Sequence, residues 1–218
     1  MCVEMAVARG SAAMSPGKRL PRIGILGGTF DPPHVGHAIV ATDLISELDL
    51  DRLLVIPAAW PPHREASFSA ETRLRSVRRM FDGVDRIEVS DVEFRRAGPS
   101  YAVTTLEALH QRYGDAAFIL VMGADQLATI DTWHEFERIP ALARVAVMGR
   151  AEARPVLPDA ARDFPYIEVA VTRIDISAST IRRRLADGKT IRFLVPESIR
   201  DDIERAWEVR ARTQTTST

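Results

Sequence analysis

Four short stretches, Ile23-Gly24-Ile25-Leu26, Leu53-Leu54-Val55-Ile56, Phe118-Ile119-Leu120-Val121-Met122 and Val145-Ala146-Val147-Met148, are apolar at nearly every position. A strand with one wet face alternates polar and apolar residues, so runs of this kind fit strands covered on both sides. Helical periodicity fills the intervals. Val40, Ala41, Leu44, Ile45 and Leu48 follow the 3.6-residue period after the first run. Residues 71–81 form a basic amphipathic pattern. Val103, Leu106, Leu109 and Tyr113 mark another helix, for which Thr104 and Glu107 have the spacing of a capping box. Further strands are expected near Ile87–Val89 and at Ile167–Val171. A helical region containing Trp133, Phe136 and Ile139 separates the last two strong runs, and helices are expected at 178–187 and 196–209. The alternation predicts an α/β fold, a doubly wound parallel sheet with helices on both faces. In such sheets ligands sit beyond the strand C-termini, where the strand order reverses.

The 218 residues suit one sizeable domain. It is expected over residues 20–210, between a disordered extension at 1–19 and a disordered tail at 211–218. A formal net charge of −1 supplies no broad attraction to nucleic acid or to an anionic membrane. The single cysteine, Cys2, excludes an intrachain disulfide and a cysteine-rich metal site. No apolar run approaches the roughly 18 residues of a membrane-spanning helix, and the opening segment lacks the hydrophobic stretch of a signal peptide. These features predict a cytoplasmic protein and leave homo-oligomerisation open.

The chemistry concentrates between the first strand and the first helix, in Gly27-Gly28-Thr29-Phe30-Asp31-Pro32-Pro33-His34-Val35-Gly36-His37. Backbone N–H groups at such a junction point toward an anion. Paired glycines let a nucleotide approach the chain, and His34 and His37 add side-chain donors. Two histidines three apart, with Asp31, also have the makings of a metal site; the glycine-rich loop favours phosphate.

Three further clusters follow strands or open helices. Pro61-Pro62-His63-Arg64 is a rigid loop carrying two donors; by itself it reads as a solvated connection, and its place after a strand C-terminus brings the functional reading level with that. Gly123-Ala124-Asp125-Gln126-Leu127 places a carboxylate directly after a buried strand, suited to ribose hydroxyls or to a helix N-cap. Ile176-Ser177-Ala178-Ser179-Thr180-Ile181-Arg182 opens a helix with hydroxyls and brings an arginine one turn later, either plain capping or a second anion cradle.

Taken in order, these clusters resemble the nicotinate mononucleotide adenylyltransferase family, bacterial enzymes of NAD biosynthesis with a Rossmann-like fold of the H-x-G-H nucleotidyltransferase type. The resemblance covers nearly all of residues 22–200. Gly27–His37 fills every defined position of the family's G-G-T-F-D-P-x-H-x-G-H signature, and residues 176–182 are similar to its I-S-S-T-x-I-R motif. Pro61–Arg64, Gly98-Pro99-Ser100-Tyr101, the Gly123 block and Trp133 fall where the family places them.

The resemblance implies ATP and nicotinate mononucleotide as substrates, with Mg2+ carried on the ATP phosphates. It implies that Gly27, Gly28, Thr29 and Phe30 line the dinucleotide site. His34, His37 and Arg182 would be the catalytic donors, joined on the ATP phosphates by Ser177 and Ser179. Gly123 and Asp125 would meet the ribose. His63 and Arg64 would face phosphate groups, Trp133 would stack on the pyridine ring beside Tyr101 and Ala102, and Arg150 would close the phosphate pocket. The chain departs from the family at Ala102 and Thr104, where relatives carry threonine and aspartate, and at Arg150-Ala151-Glu152, where they carry R-P-G.

Phosphopantetheine adenylyl transfer, a class I aminoacyl-tRNA synthetase relative and a non-catalytic nucleotide sensor are the rival readings. The double glycine, the P-P-H-R loop and Trp133 favour a pyridine nucleotide over phosphopantetheine. The short, nearly neutral chain argues against tRNA, and the complete set of histidines and Arg182 argues against a sensor.

Overall fold

The computed structural model describes residues 19–62, 65–149 and 156–215. Six parallel strands form one sheet: β1 (Arg22–Gly28), β2 (Arg52–Pro57), β3 (Ile87–Val89), β4 (Ala117–Gly123), β5 (Arg144–Gly149) and β6 (Ile167–Ala170), in the order β3-β2-β1-β4-β5-β6. Every described pairing is parallel. The order reverses between β1 and β4, so the two central strands splay their following loops to opposite faces and leave a crevice there. The expected doubly wound sheet is therefore the one observed.

Residue parity divides the core. Leu26, Leu53, Val55, Ile119, Val121 and Ala146 face one layer, built from α1 (Val35–Glu47), α2 (Ala70–Met80), α6 (Ala178–Ala186) and α7 (Glu197–Thr215). Ile23, Ile25, Leu54, Ile56, Leu120, Met122, Val145 and Val147 face the other, built from α3 (Ala102–Tyr113), α4 (Ala124–Leu127) and α5 (Ile139–Leu142). Burial on both faces explains why these strands carry no polar alternation. Gly24 is the gap in the apolar run for a steric reason: a Cβ there would lie 2.4 Å from Leu50 Cδ1 and 2.9 Å from Leu53 Cδ1.

The structure corrects several local expectations. Helix α3 starts at Ala102 with Tyr101 as its N-cap, so Thr104 lies inside the first turn and does not cap. Its entry is set from outside the helix. Trp60 N–H donates to Ser100 Oγ and Ser100 N–H donates to Trp60 C=O, fixing the chain just before it turns in. The region between β4 and β5 is broken into α4, two 3-10 turns and α5, because Pro140 and a left-handed Glu135 (φ 50°) interrupt it. Strand β6 ends at Ala170, one residue short of Val171. Helix α7 continues to Thr215, past the end expected near 209, since nothing in Arg210–Thr215 breaks a helix and Arg212 pairs with Glu208 one turn back. Of the disorder expected at 1–19 and 211–218, residues 1–18 and 216–218 lie outside the described residues, whereas 211–215 belong to α7.

Candidate active site

The C-terminal strand ends form one rim. Gly28 pairs with Pro57, Gly123 with Met148, and Gly149 with Ala170. A cavity of about 1810 Å³ opens over this rim, across the reversal point.

The first wall is the Gly27–His37 loop. Phe30 takes a left-handed backbone (φ 50°) with its ring buried under Gly28, where a Cβ would lie 3.1 Å from the ring. His34 caps α1: its backbone N–H donates to His37 Nδ1 at 3.1 Å. In a neutral ring that acceptor role leaves the proton on His37 Nε2, a donor. The two imidazoles stack with centroids 3.7 Å apart, and Phe30 packs on His37 at 4.8 Å. Gly36 is required by this stack, since a Cβ would lie 3.0 Å from His34 Nδ1. Burial pushes His34 down to about 4, and burial together with the neighbouring His34 pushes His37 down to about 3. Both are neutral at pH 7. His34 Nδ1 is buried without a hydrogen-bond partner among the described residues.

Asp31 organises the floor. Its carboxylate accepts backbone N–H bonds from Ser67 and Phe68, both at 2.9 Å, and lies 3.3 Å from the Arg182 guanidinium. Arg182 also donates to the Asp31 carbonyl at 2.6 Å. The carboxylate is thus engaged by two backbone N–H groups and a guanidinium, and among the described residues no three His, Cys, Asp or Glu side chains are grouped to hold an ion. The same ion pair joins the loop at 27–37 to the segment at 176–182, although 151 residues separate them.

Gly27, Gly28, Thr29, Phe30, His34, His37, Tyr101, Ala102, Gly123, Asp125 and Trp133 all line the cavity. Asp125 folds back over Gly123, where a Cβ would meet its Oδ1 at 2.3 Å. Trp133 is half-buried beside Tyr101, whose ring stacks on His134 at 4.4 Å. Ser177, Ser179 and Arg182 stand just behind the wall, which Ile176 and Ala178 form. Ser177 Oγ accepts the Thr180 N–H and bonds Ser179 Oγ at 2.8 Å, so these hydroxyls are engaged in capping α6. His63, Arg64 and Arg150 lie outside the described residues.

Two side chains that hold the site together were not foreseen. Arg73, 2% exposed, donates to the carbonyls of Phe68, Thr29, Ala58 and Ala59, tying the loop after β1 to the loop after β2. Its spacing to Val77 and Met80 puts it on the buried face of α2, a signal that charge alone masks. Glu93, also buried, accepts the Ala59 N–H and the Thr105 hydroxyl.

A doubly wound sheet with an imidazole-bearing loop at its reversal point defines the class: a nucleotide-handling α/β enzyme of the nucleotidyltransferase type. The Cytidylyltransferase-like family profile matches residues 25–184. A probable nicotinate-nucleotide adenylyltransferase from Gemmatimonas aurantiaca is 44% identical over 184 residues, covering 82% of this chain and 87% of that protein. One from Exiguobacterium sibiricum is 38% identical, covering 87% and 99%. The chain thus belongs to the nicotinate-nucleotide adenylyltransferase family. The fold agrees with that of the Plasmodium falciparum nicotinic acid mononucleotide adenylyltransferase complexed with NaAD, at a TM-score of 0.69 and 18% identity over 88% of this chain and 98% of that one. A putative nicotinate-nucleotide adenylyltransferase from Vibrio parahaemolyticus gives 0.62 and 19%, over 84% and 99%.

Proposed function

We propose that the chain transfers the adenylyl group of ATP to nicotinate mononucleotide, releasing nicotinate adenine dinucleotide and pyrophosphate. The observation that carries this reading is the convergence of the Gly27–His37 loop and the start of α6 over one cavity, joined through Asp31 and Arg182. An oxygen of the mononucleotide phosphate attacks the α-phosphorus in line, and the bond from that phosphorus to pyrophosphate breaks. The nucleophile is already anionic, so no general base or covalent residue is needed; the enzyme positions two anions and offsets the charge that builds up.

Neutral His34 and His37 serve as oriented N–H donors, each able to lower the barrier by about 3 kcal/mol. An arriving polyphosphate favours their protonation, so binding itself strengthens them. Arg182 supports the same phosphates from the α6 side, with Ser177 and Ser179 at the helix start. Asp125 and Gly123 meet the ATP ribose. Trp133 and Tyr101 border the pyridine. Ala102 opens α3, so the backbone N–H groups of that first turn, in place of a threonine side chain, receive the pyridine carboxylate. His63, Arg64 and Arg150 take the remaining phosphate contacts. Mg2+ would come as part of the ATP complex and would supply neutralisation of phosphate charge, with this chain's donors binding the phosphate groups directly.

Pyrophosphate release measured with ATP and, in parallel, nicotinate mononucleotide, nicotinamide mononucleotide or phosphopantetheine tests the reading. Nicotinate mononucleotide is expected to give the highest kcat/KM. Preference for phosphopantetheine, or no release with any acceptor, would overturn it.

A further inference from the structure

We infer that Arg173 binds the polyphosphate of ATP, an inference that rests on the adenylyl-transfer reading above. The segment from β6 to α6, residues 171–176, forms the cavity wall on the α1 side of the sheet. It is pinned there by the Thr172 N–H, which donates to the Asp43 carboxylate of α1 at 2.6 Å. Arg173 is the next residue. Among the described residues that line the cavity it is the one lysine or arginine, beside the carboxylates of Asp31, Glu93, Asp125 and Asp175. Its side chain is exposed and makes no hydrogen bond or ion pair among the described residues.

Before ATP arrives, the other cationic candidates in this part of the site are partnered within the protein or uncharged. Arg182 is bound to the Asp31 carbonyl and carboxylate, and the two imidazoles are neutral in the free protein. A cavity that takes a triphosphate and a second anion thus presents, on its described walls, a single uncommitted full positive charge. A guanidinium is suited to that task because it keeps its charge in any surroundings and offers several donors in a fixed fork. Its location also assigns the substrate. Val171 and Ile176 pack with the layer containing α1 and α6, whereas Trp133 and Ala102 pack with the layer on the opposite face. Arg173 therefore stands on the face that carries α1 with its two histidines and α6 with Arg182, the groups assigned to the ATP phosphates.

Arg173→Ala and Arg173→Lys in the full chain test this. Forward kinetics give KM for ATP and for nicotinate mononucleotide, and the reverse reaction gives KM for pyrophosphate. The alanine variant is expected to raise KM for both ATP and pyrophosphate about tenfold, equivalent to about 1.4 kcal/mol, with KM for the mononucleotide unchanged and lysine recovering part of the loss. An unchanged pyrophosphate KM would overturn the inference, since a contact to adenine alone leaves that constant untouched. Should the wild type fail to turn over nicotinate mononucleotide, the proposed function falls separately. Calorimetric binding of inorganic tripolyphosphate then still decides the role of Arg173: weaker binding to Arg173→Ala supports it, and equal binding to both proteins refutes it.

Discussion

Replacing His37 with asparagine isolates the cost of keeping an imidazole neutral in this site. Asparagine Oδ1 can occupy the place of Nδ1 and still accept the His34 N–H, so the N-cap bond of α1 is retained while the titrating ring is lost. Wild-type His37 titrates near 3 in the folded protein and near 6.5 in the unfolded chain. Well above pH 6.5 neither state holds the proton and the residue contributes no pH dependence. Below it the unfolded chain takes up a proton that the native state refuses, so stability falls as the pH falls towards 3. From pH 7 to pH 5 the difference amounts to about 2 kcal/mol. With a urea m-value of about 2 kcal/mol/M for a domain of this size, that is about 1 M in the unfolding midpoint. Urea titrations at pH 7 and pH 5 should show the wild type losing about 1 M more than His37→Asn, with carboxylate protonation and His34 contributing to both. Equal acid sensitivity would mean that His37 titrates normally when folded, and the neutral-donor account of the site would be wrong.

Arg73→Met leaves four carbonyls without their shared donor and should cost about 3 kcal/mol. Thermal unfolding should show Tm lowered by roughly 10 °C, and a Tm within a degree or two of wild type would remove Arg73 from the loop framework. Gly123→Ala sets a Cβ against Asp125 Oδ1 and forces the carboxylate to rotate. Steady-state kinetics should show KM for ATP rising about tenfold, the scale of one lost charged hydrogen bond, at nearly constant Tm; an unaffected ATP constant would detach Asp125 from the ribose.

Much of the architecture was legible because it is written locally. Four short runs that are apolar at nearly every position fit strands covered on both faces, and Val40, Ala41, Leu44 and Ile45 repeat at a spacing that a helix turns to one side. The Gly27–His37 loop was legible for the same reason: His34 N–H reaches His37 three residues away, and Gly36 makes room for the ring between them. The role of Asp31 was not. Its partners are Ser67, Phe68 and Arg182, tens of residues or more distant, and a carboxylate near two histidines keeps a metal-ligand reading open until those partners are in place. Arg73 was hidden by its own charge, which marks a solvated face unless burial is known. Thr104 misled because capping-box spacing describes only the helix, whereas the start of α3 is fixed by the Trp60–Ser100 pair from another loop.

From the chain alone follow the alternation of strand and helix, the glycine- and imidazole-bearing loop at the first strand–helix junction and the hydroxyl-capped start of α6, because hydrogen bonds and side-chain periods of that kind act over one or two turns. Only the assembled molecule decides that the sheet reverses between β1 and β4, that Arg182 closes on Asp31, and that both histidines are uncharged. Strand order and desolvation depend on segments far apart in the chain meeting in space, and no window of sequence contains that meeting.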